Sequence, residues 1–244
     1  MRVDATSYTG AAAQVVQWSQ EAVGRYVCVA NVHMTMEAFD NRDFQQIVND
    51  AALVTPDGMP LVWTLRALGL REQARVYGPT LVLYVCEQAA SAGVPVGLYG
   101  GTEASLASMQ RFLAERFPAL QVAYAFAPPF RPLSPEEDAQ VVADIRASGV
   151  RLLFVGLGCP KQERWMAAHR ERLPLVQLGV GAAFDFHSGR VRQAPGWLQR
   201  MGLEWLFRLL MEPRRLWRRY LLHNPRFVVY TLLQLVGLRR AEPG

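Results

Sequence analysis

Arg151-Leu152-Leu153-Phe154-Val155-Gly156-Leu157-Gly158-Cys159-Pro160-Lys161-Gln162-Glu163 is the run on which the fold turns. Its first five residues are mostly apolar on both sides, the pattern of a strand covered on both faces. Gly156-Leu157-Gly158 supplies a tight turn, and Pro160 suits the first turn of a helix. Working outward, the same unit recurs. Tyr26–Val32 reads as a buried strand followed by a helix over about Thr35–Val48. Ala52–Thr55 reads as a short strand ending in Pro56-Asp57-Gly58, with helices over Pro60–Leu68 and Thr80–Ala92. Pro95–Tyr99 runs into Gly100-Gly101 and a helix from Thr102. Gln121–Phe126 is a further strand, and Ser134-Pro135-Glu136-Glu137 carries the cap, proline and acids of a helix start. Leu175–Val180 is the last clear strand. Apolar strands alternating with helical crossovers predict an α/β fold: a Rossmann-like, largely parallel sheet with helices on both faces. The boundary falls at Pro195, giving a core over 1–195 and a helical appendage over 196–244.

Charge divides at nearly the same place. The 244 residues carry a net +5, yet residues 200–244 hold nine arginines against three acids, a surplus of six. The rest therefore sums to −1, so the appendage is the basic element and points to an anionic partner. In Pro213-Arg214-Arg215-Leu216-Trp217-Arg218-Arg219-Tyr220-Leu221, a helical period places Arg214, Arg215, Arg218 and Arg219 on one arc. Leu216, Trp217, Tyr220 and Leu221 fall on the opposite arc. Solvated arginine rows are common, but Trp and Tyr behind them suit a lipid headgroup boundary, predicting an amphipathic helix on an anionic membrane. The apolar run Phe227–Leu238 contains Gln234 and is shorter than the roughly 18 residues that span a bilayer. The N-terminal stretch lacks the pattern of a signal peptide. Three cysteines without metal-ligand spacing favour a reducing compartment over a disulfide framework.

Ligands of open α/β sheets bind beyond the carboxyl ends of the strands. Four loops fall there, around Asn31 and His33, Asp57, Gly100-Gly101 and Gly156–Glu163. Asp57, between Pro56 and Gly58, is a candidate acid or base, although a turn or capping aspartate is the commoner use of such a residue. Gly100-Gly101 before a helix suits the approach of a phosphate to backbone N–H groups, but it completes no GxGxxG motif, and Gly156–Lys161 completes no P-loop. Gln162 and Glu163 open a helix, where a carboxamide can read a uracil or sugar hydroxyl or merely supply helix-start polarity. Arg75 can steer a diphosphate or be an ordinary loop arginine. His33, Glu37 and Asp40 share a helix face, but their spacing matches no recognised metal site, so no metal is expected.

Taken in order, these blocks resemble the WecG/TagA/CpsF glycosyltransferase family. They are Asn31, Val54–Gly58, Arg75–Pro79, Tyr99–Gly101, Val155–Glu163, Gly179–Phe186 and Gly202-Leu203-Glu204-Trp205. The likeness covers about residues 25–222. It implies an inverting, metal-independent transfer of a hexose from a UDP-sugar to a polyprenyl-diphosphate-linked saccharide, with no cofactor, at the cytoplasmic membrane face. It places the base on Asp57 and active-site roles on Asn31, Arg75 and Gln162. It brings Arg214, Arg215, Arg218 and Arg219 over the site, where guanidinium groups offset charge on the departing UDP. A homo-oligomer is compatible with it. Gly78-Pro79-Thr80-Leu81, Gln193-Ala194-Pro195 and Val29 depart from the family's usual Gly-x-Asp-Leu, Arg-Ala-Pro and threonine. The first departure resembles the branch that transfers glucose in exopolysaccharide assembly; N-acetylmannosamine and its uronate are the other donors the family implies. The competing reading is a non-catalytic nucleotide- or nucleic-acid-binding module with a basic tail, which steep salt dependence would reveal. A membrane-recruited scaffold on the same fold would show no heat on titration with UDP.

Overall fold

The computed structural model describes residues 1–187, 189 and 191–237. Leu238, Arg239, Arg240 and Glu242, part of the tail readings above, lie outside the described residues. Six strands form one parallel sheet in the order β2-β1-β6-β5-β3-β4. They are β1 (Arg25–Ala30), β2 (Leu53–Pro56), β3 (Val96–Gly100), β4 (Val122–Phe126), β5 (Leu152–Gly156) and β6 (Val176–Gly179). Because the side chains of each strand alternate, two cores result. Val27, Leu98, Phe154 and Leu178 pack on α1 (Tyr8–Ser19), α5 (Gly78–Ser91), α6 (Glu103–Arg116) and α9 (Ala183–His187). Cys28, Tyr99, Leu153 and Val155 pack on α2 (Val32–Asp40), α3 (Arg42–Asn49), α7 (Pro135–Ala147) and α8 (Lys161–His169). Both faces are covered, as the uninterrupted apolar strands require.

Two elements differ from the sequence reading. The single helix expected over Thr35–Val48 is two helices, because Asn41 is extended and caps α3 through its side chain, 2.8 Å from the Phe44 N–H. The N-terminal α1 was not foreseen: its run of small residues carries a weak period, and its burial comes from packing against α5. The start signature at Ser134 forms a complete capping box with Glu137.

β1, β2, β3, β5 and β6 all deliver their carboxyl ends to one side, where α4 (Met59–Ala67) follows β2. The C-terminal helices α10 (Gly196–Arg200), α11 (Glu204–Met211) and α12 (Pro213–Leu235) pack back over that side. Gly202 makes the turn between α10 and α11 at φ +70°; a Cβ there would lie 2.5 Å from the Trp63 ring. α12 continues through Pro225 and docks on α2.

Candidate active site

The five strand ends and the C-terminal helices enclose a cleft of about 2280 Å³. Asn31, Asp57, Gly101, Gly156–Gly158, Gln162 and Gly179–Ala183 line it from the core, and Gln199, Glu204, Arg208, Arg215, Arg219 and His223 from the appendage.

Asp57 follows β2, its N–H donating to the Ala30 carbonyl at 2.8 Å. Arg75 binds it twice: Nε donates to the Asp57 carbonyl, and Nη2 lies 3.0 Å from Oδ1. The same Nη2 donates to Glu204 at 2.6 Å, and the Tyr77 ring lies 4.1 Å from the guanidinium carbon. Arg75 thus joins a core carboxylate to an appendage carboxylate, with Asp57, Arg75 and Glu204 side chains each about 15% exposed. Burial is the largest influence on Asp57; Arg75 opposes it and Glu204 adds to it, leaving the carboxyl pushed up to about 6. Such a carboxylate is ionised at neutral pH yet more basic than usual, the balance that suits a general base.

Several expected ligand-binding residues have other duties. Asn31 caps α2, its Oδ1 accepting from the Met34 N–H at 3.2 Å, so its amide N–H groups are what it can offer the cleft. Gln162 Oε1 accepts from the N–H groups of Gly158 (3.2 Å) and Gly181 (3.0 Å), tying the β5 and β6 loops together. Its Nε2 donates to Glu163 at 2.6 Å, so one amide N–H remains for a ligand. Glu163 does not line the cleft. It is turned into the core, where burial pushes it up to about 7, and it holds Gln162.

Gly100 is also set back from the cleft. At φ +122°, a Cβ on it would meet the Gly156 backbone at 2.6 Å, so it is glycine for strand packing. The Gly101 N–H donates to the Gly156 carbonyl and that of Thr102 to Ser105 Oγ. The expected phosphate cradle at this turn is therefore already occupied by the protein's own acceptors.

The four tail arginines divide two and two. Arg215 and Arg219 line the cleft. Arg214 and Arg218 lie outside the cleft lining and are exposed, as are Trp217 and Leu221. Leu216 is buried, and Tyr220 meets Trp205 of α11 at 5.8 Å between ring centroids. The four share one arc of α12, but the helix turns Leu216, His223 and Phe227 to the core, so that only the edge of the arc with Arg215 and Arg219 lines the cleft.

Sequence reasoning missed Glu204, Gln199, Arg208 and Tyr77 as contributors to the site. Glu204 stood only within a motif, and its partner is 129 residues distant, beyond any local pattern. Of the His33, Glu37 and Asp40 trio, Asp40 instead pairs with Arg226 at 2.5 and 2.8 Å, while His223 of α12 joins the other two. Burial and then Arg219 push His33 down to about 4.

Residues 1–241 match the model of the Glycosyl transferase WecG/TagA/CpsF family. An N-acetylglucosaminyldiphosphoundecaprenol N-acetyl-beta-D-mannosaminyltransferase of Bacillus spizizenii is 31% identical over 86% of this chain and 79% of its own. A protein of the same name from Bacillus subtilis is 26% identical over 87% of this chain and 80% of its own. With a match over nearly its whole length and its quoted motifs gathered around one cleft, the chain belongs to the WecG/TagA/CpsF family of glycosyltransferases.

Proposed function

We propose that the protein transfers a hexose, with inversion, from a UDP-sugar to a saccharide carried on a polyprenyl diphosphate in cell-surface or exopolysaccharide synthesis. The observation that carries the reading is the convergence of Asp57, Arg75 and Glu204 with Arg208, Arg215 and Arg219 on one cleft. The names of the Bacillus relatives support the lipid-linked acceptor and an N-acetylmannosamine donor. Thr80, where the family often has the aspartate of Gly-x-Asp-Leu, supports a glucose donor instead.

In this reading the acceptor hydroxyl oxygen attacks the anomeric carbon as its proton passes to Asp57. Asp57 Oδ1 is held by Arg75, so Oδ2 is the oxygen that takes the proton. The bond from the anomeric carbon to the UDP oxygen breaks on the opposite face. The departing diphosphate is then stabilised by Arg215 and Arg219, with Arg208 beside them. Asp57 and Glu204 share Arg75 rather than forming an open carboxylate pair, which supports guanidinium groups over a divalent cation in the transfer step.

The outward face of α12 supports attachment at the cytoplasmic face of a membrane. Trp217, Leu221 and Leu235 are exposed apolar residues outside the cleft lining, with Arg214 and Arg218 exposed beside the first two. Among the described residues no helix is long and apolar enough to cross a membrane. Side chains of this kind lie in the interface, with guanidinium groups at lipid phosphates.

The deciding experiment offers UDP-glucose, UDP-N-acetylmannosamine and its uronate with a short-chain prenyl-diphosphate saccharide, and weighs the products. A product heavier by one hexose-type residue from one donor is expected. No product from any donor, with folded protein that also fails to bind UDP, overturns the reading.

A further inference from the structure

α2 presents His33 and Glu37 one turn apart, and α12 lays His223 against them. Glu37 Oε1 is 3.7 Å from His33 Nδ1 and 3.7 Å from His223 Nε2, and the three ligating atoms all lie within 4.8 Å of one another. These separations are too long for hydrogen bonds. They are close to those of donors sharing one ion, since bonds of about 2.0–2.1 Å set ligand atoms roughly 3.3–3.5 Å apart in a tetrahedron.

Of the two nitrogens that face Glu37, His33 Nδ1 has no other use; on His223 the unpartnered nitrogen is Nδ1, on the far side of the ring from the Nε2 that faces Glu37. His33 Nδ1 and His223 Nδ1 are buried with no hydrogen-bond partner, and His223 is only 7% exposed. Leaving such atoms unpaired is costly enough that native proteins rarely do so without a reason. The Cys159 backbone acts on the His33 ring, the kind of outer contact that orients an imidazole.

We propose that His33, Glu37 and His223 bind one divalent transition-metal ion, Zn2+ by the chemistry of its donors, which fastens α12 to α2. Two imidazoles and one carboxylate form a known zinc set with a fourth position open. His33 and His223 both line the cleft. The surrounding charges are Arg219 and Arg226 against Glu37 and Asp40, and the bidentate Arg226–Asp40 pair neutralises itself. The ion would complete a seam already made by the Phe39–Tyr230 stack, 4.5 Å between centroids, and by buried Phe227. An ion bound by the docked state alone stabilises that state by mass action. No step of the proposed transfer passes through it.

The test uses full-length protein without a histidine tag, stripped with chelator, then titrated with ZnCl2 by calorimetry. One equivalent should bind and raise the melting temperature. His33→Gln and His223→Gln should each weaken binding at least about tenfold, since even outer partners of metal sites cost that much. X-ray absorption of the wild-type zinc form should show nitrogen and oxygen neighbours without sulfur, and this decides the matter even if a variant misfolds. Absent stoichiometric binding, sulfur in the coordination shell, or unchanged affinity in both folded variants would overturn the proposal.

Discussion

Asp57 is where one atom's surroundings matter most. Its place after Pro56 was legible in the sequence, but its basicity was not, because that depends on burial and on Glu204 from the far end of the chain. Asp57→Asn should lower kcat at least about 100-fold, the scale of a lost general base, while calorimetry still shows UDP binding. Near-normal turnover would remove Asp57 from that role. As the base of the proposed transfer Asp57 has to be ionised, so kcat/KM should fall as pH drops through about 6. Glu204→Gln removes a neighbouring negative charge and lets Arg75 serve Asp57 alone, and both effects favour the ionised carboxylate. The acid limb should therefore move to lower pH. An unmoved or raised limb would show that Glu204 does not tune the base. Gly100→Ala tests a position first read as ligand-binding: positive φ and the 2.6 Å approach to Gly156 should cost more than about 2 kcal/mol, read as a lower urea midpoint.

At the scale of the element, α12 presents one side to the cleft and leaves another exposed. Its start at Pro213 and its amphipathic character could be read from spacing. Its rotation could not, because the docking line through Leu216, His223 and Phe227 is set by α2 and the sheet. Arg215→Ala and Arg219→Ala should lower kcat on a short-chain acceptor while leaving liposome binding nearly intact. Arg214→Ala with Arg218→Ala should do the reverse. At about 1 kcal/mol per arginine near an anionic surface, the pair should weaken partitioning roughly 30-fold. If all four substitutions act alike in both assays, the division of faces is wrong. The helix first expected over Thr35–Val48 teaches a similar lesson: one capping asparagine divided it, although the apolar period ran through.

For the whole molecule, the strand-end loops and the C-terminal helices line one cleft, so the proposed site draws on both. Deleting the residues after Arg200 removes Glu204, Arg208, Arg215 and Arg219 and uncovers apolar surface now packed by Leu216 and Phe227. The shortened protein should leave anionic liposomes and lose activity on lipid-linked acceptors. A truncated form that sediments with liposomes as the full chain does would contradict the role of the tail. The sequence by itself determined the parallel sheet, the strand-end loops and the basic character of the tail. Strand composition, turn residues and net charge are local properties, and a chain carries them wherever it folds. Only the tertiary structure decided that Glu204 would meet Arg75, that His223 would meet His33 and Glu37, and which arginines would face the cleft. Those outcomes depend on how α11 and α12 dock across more than a hundred residues of chain, and no periodicity encodes the rotation at which two packed surfaces come to rest.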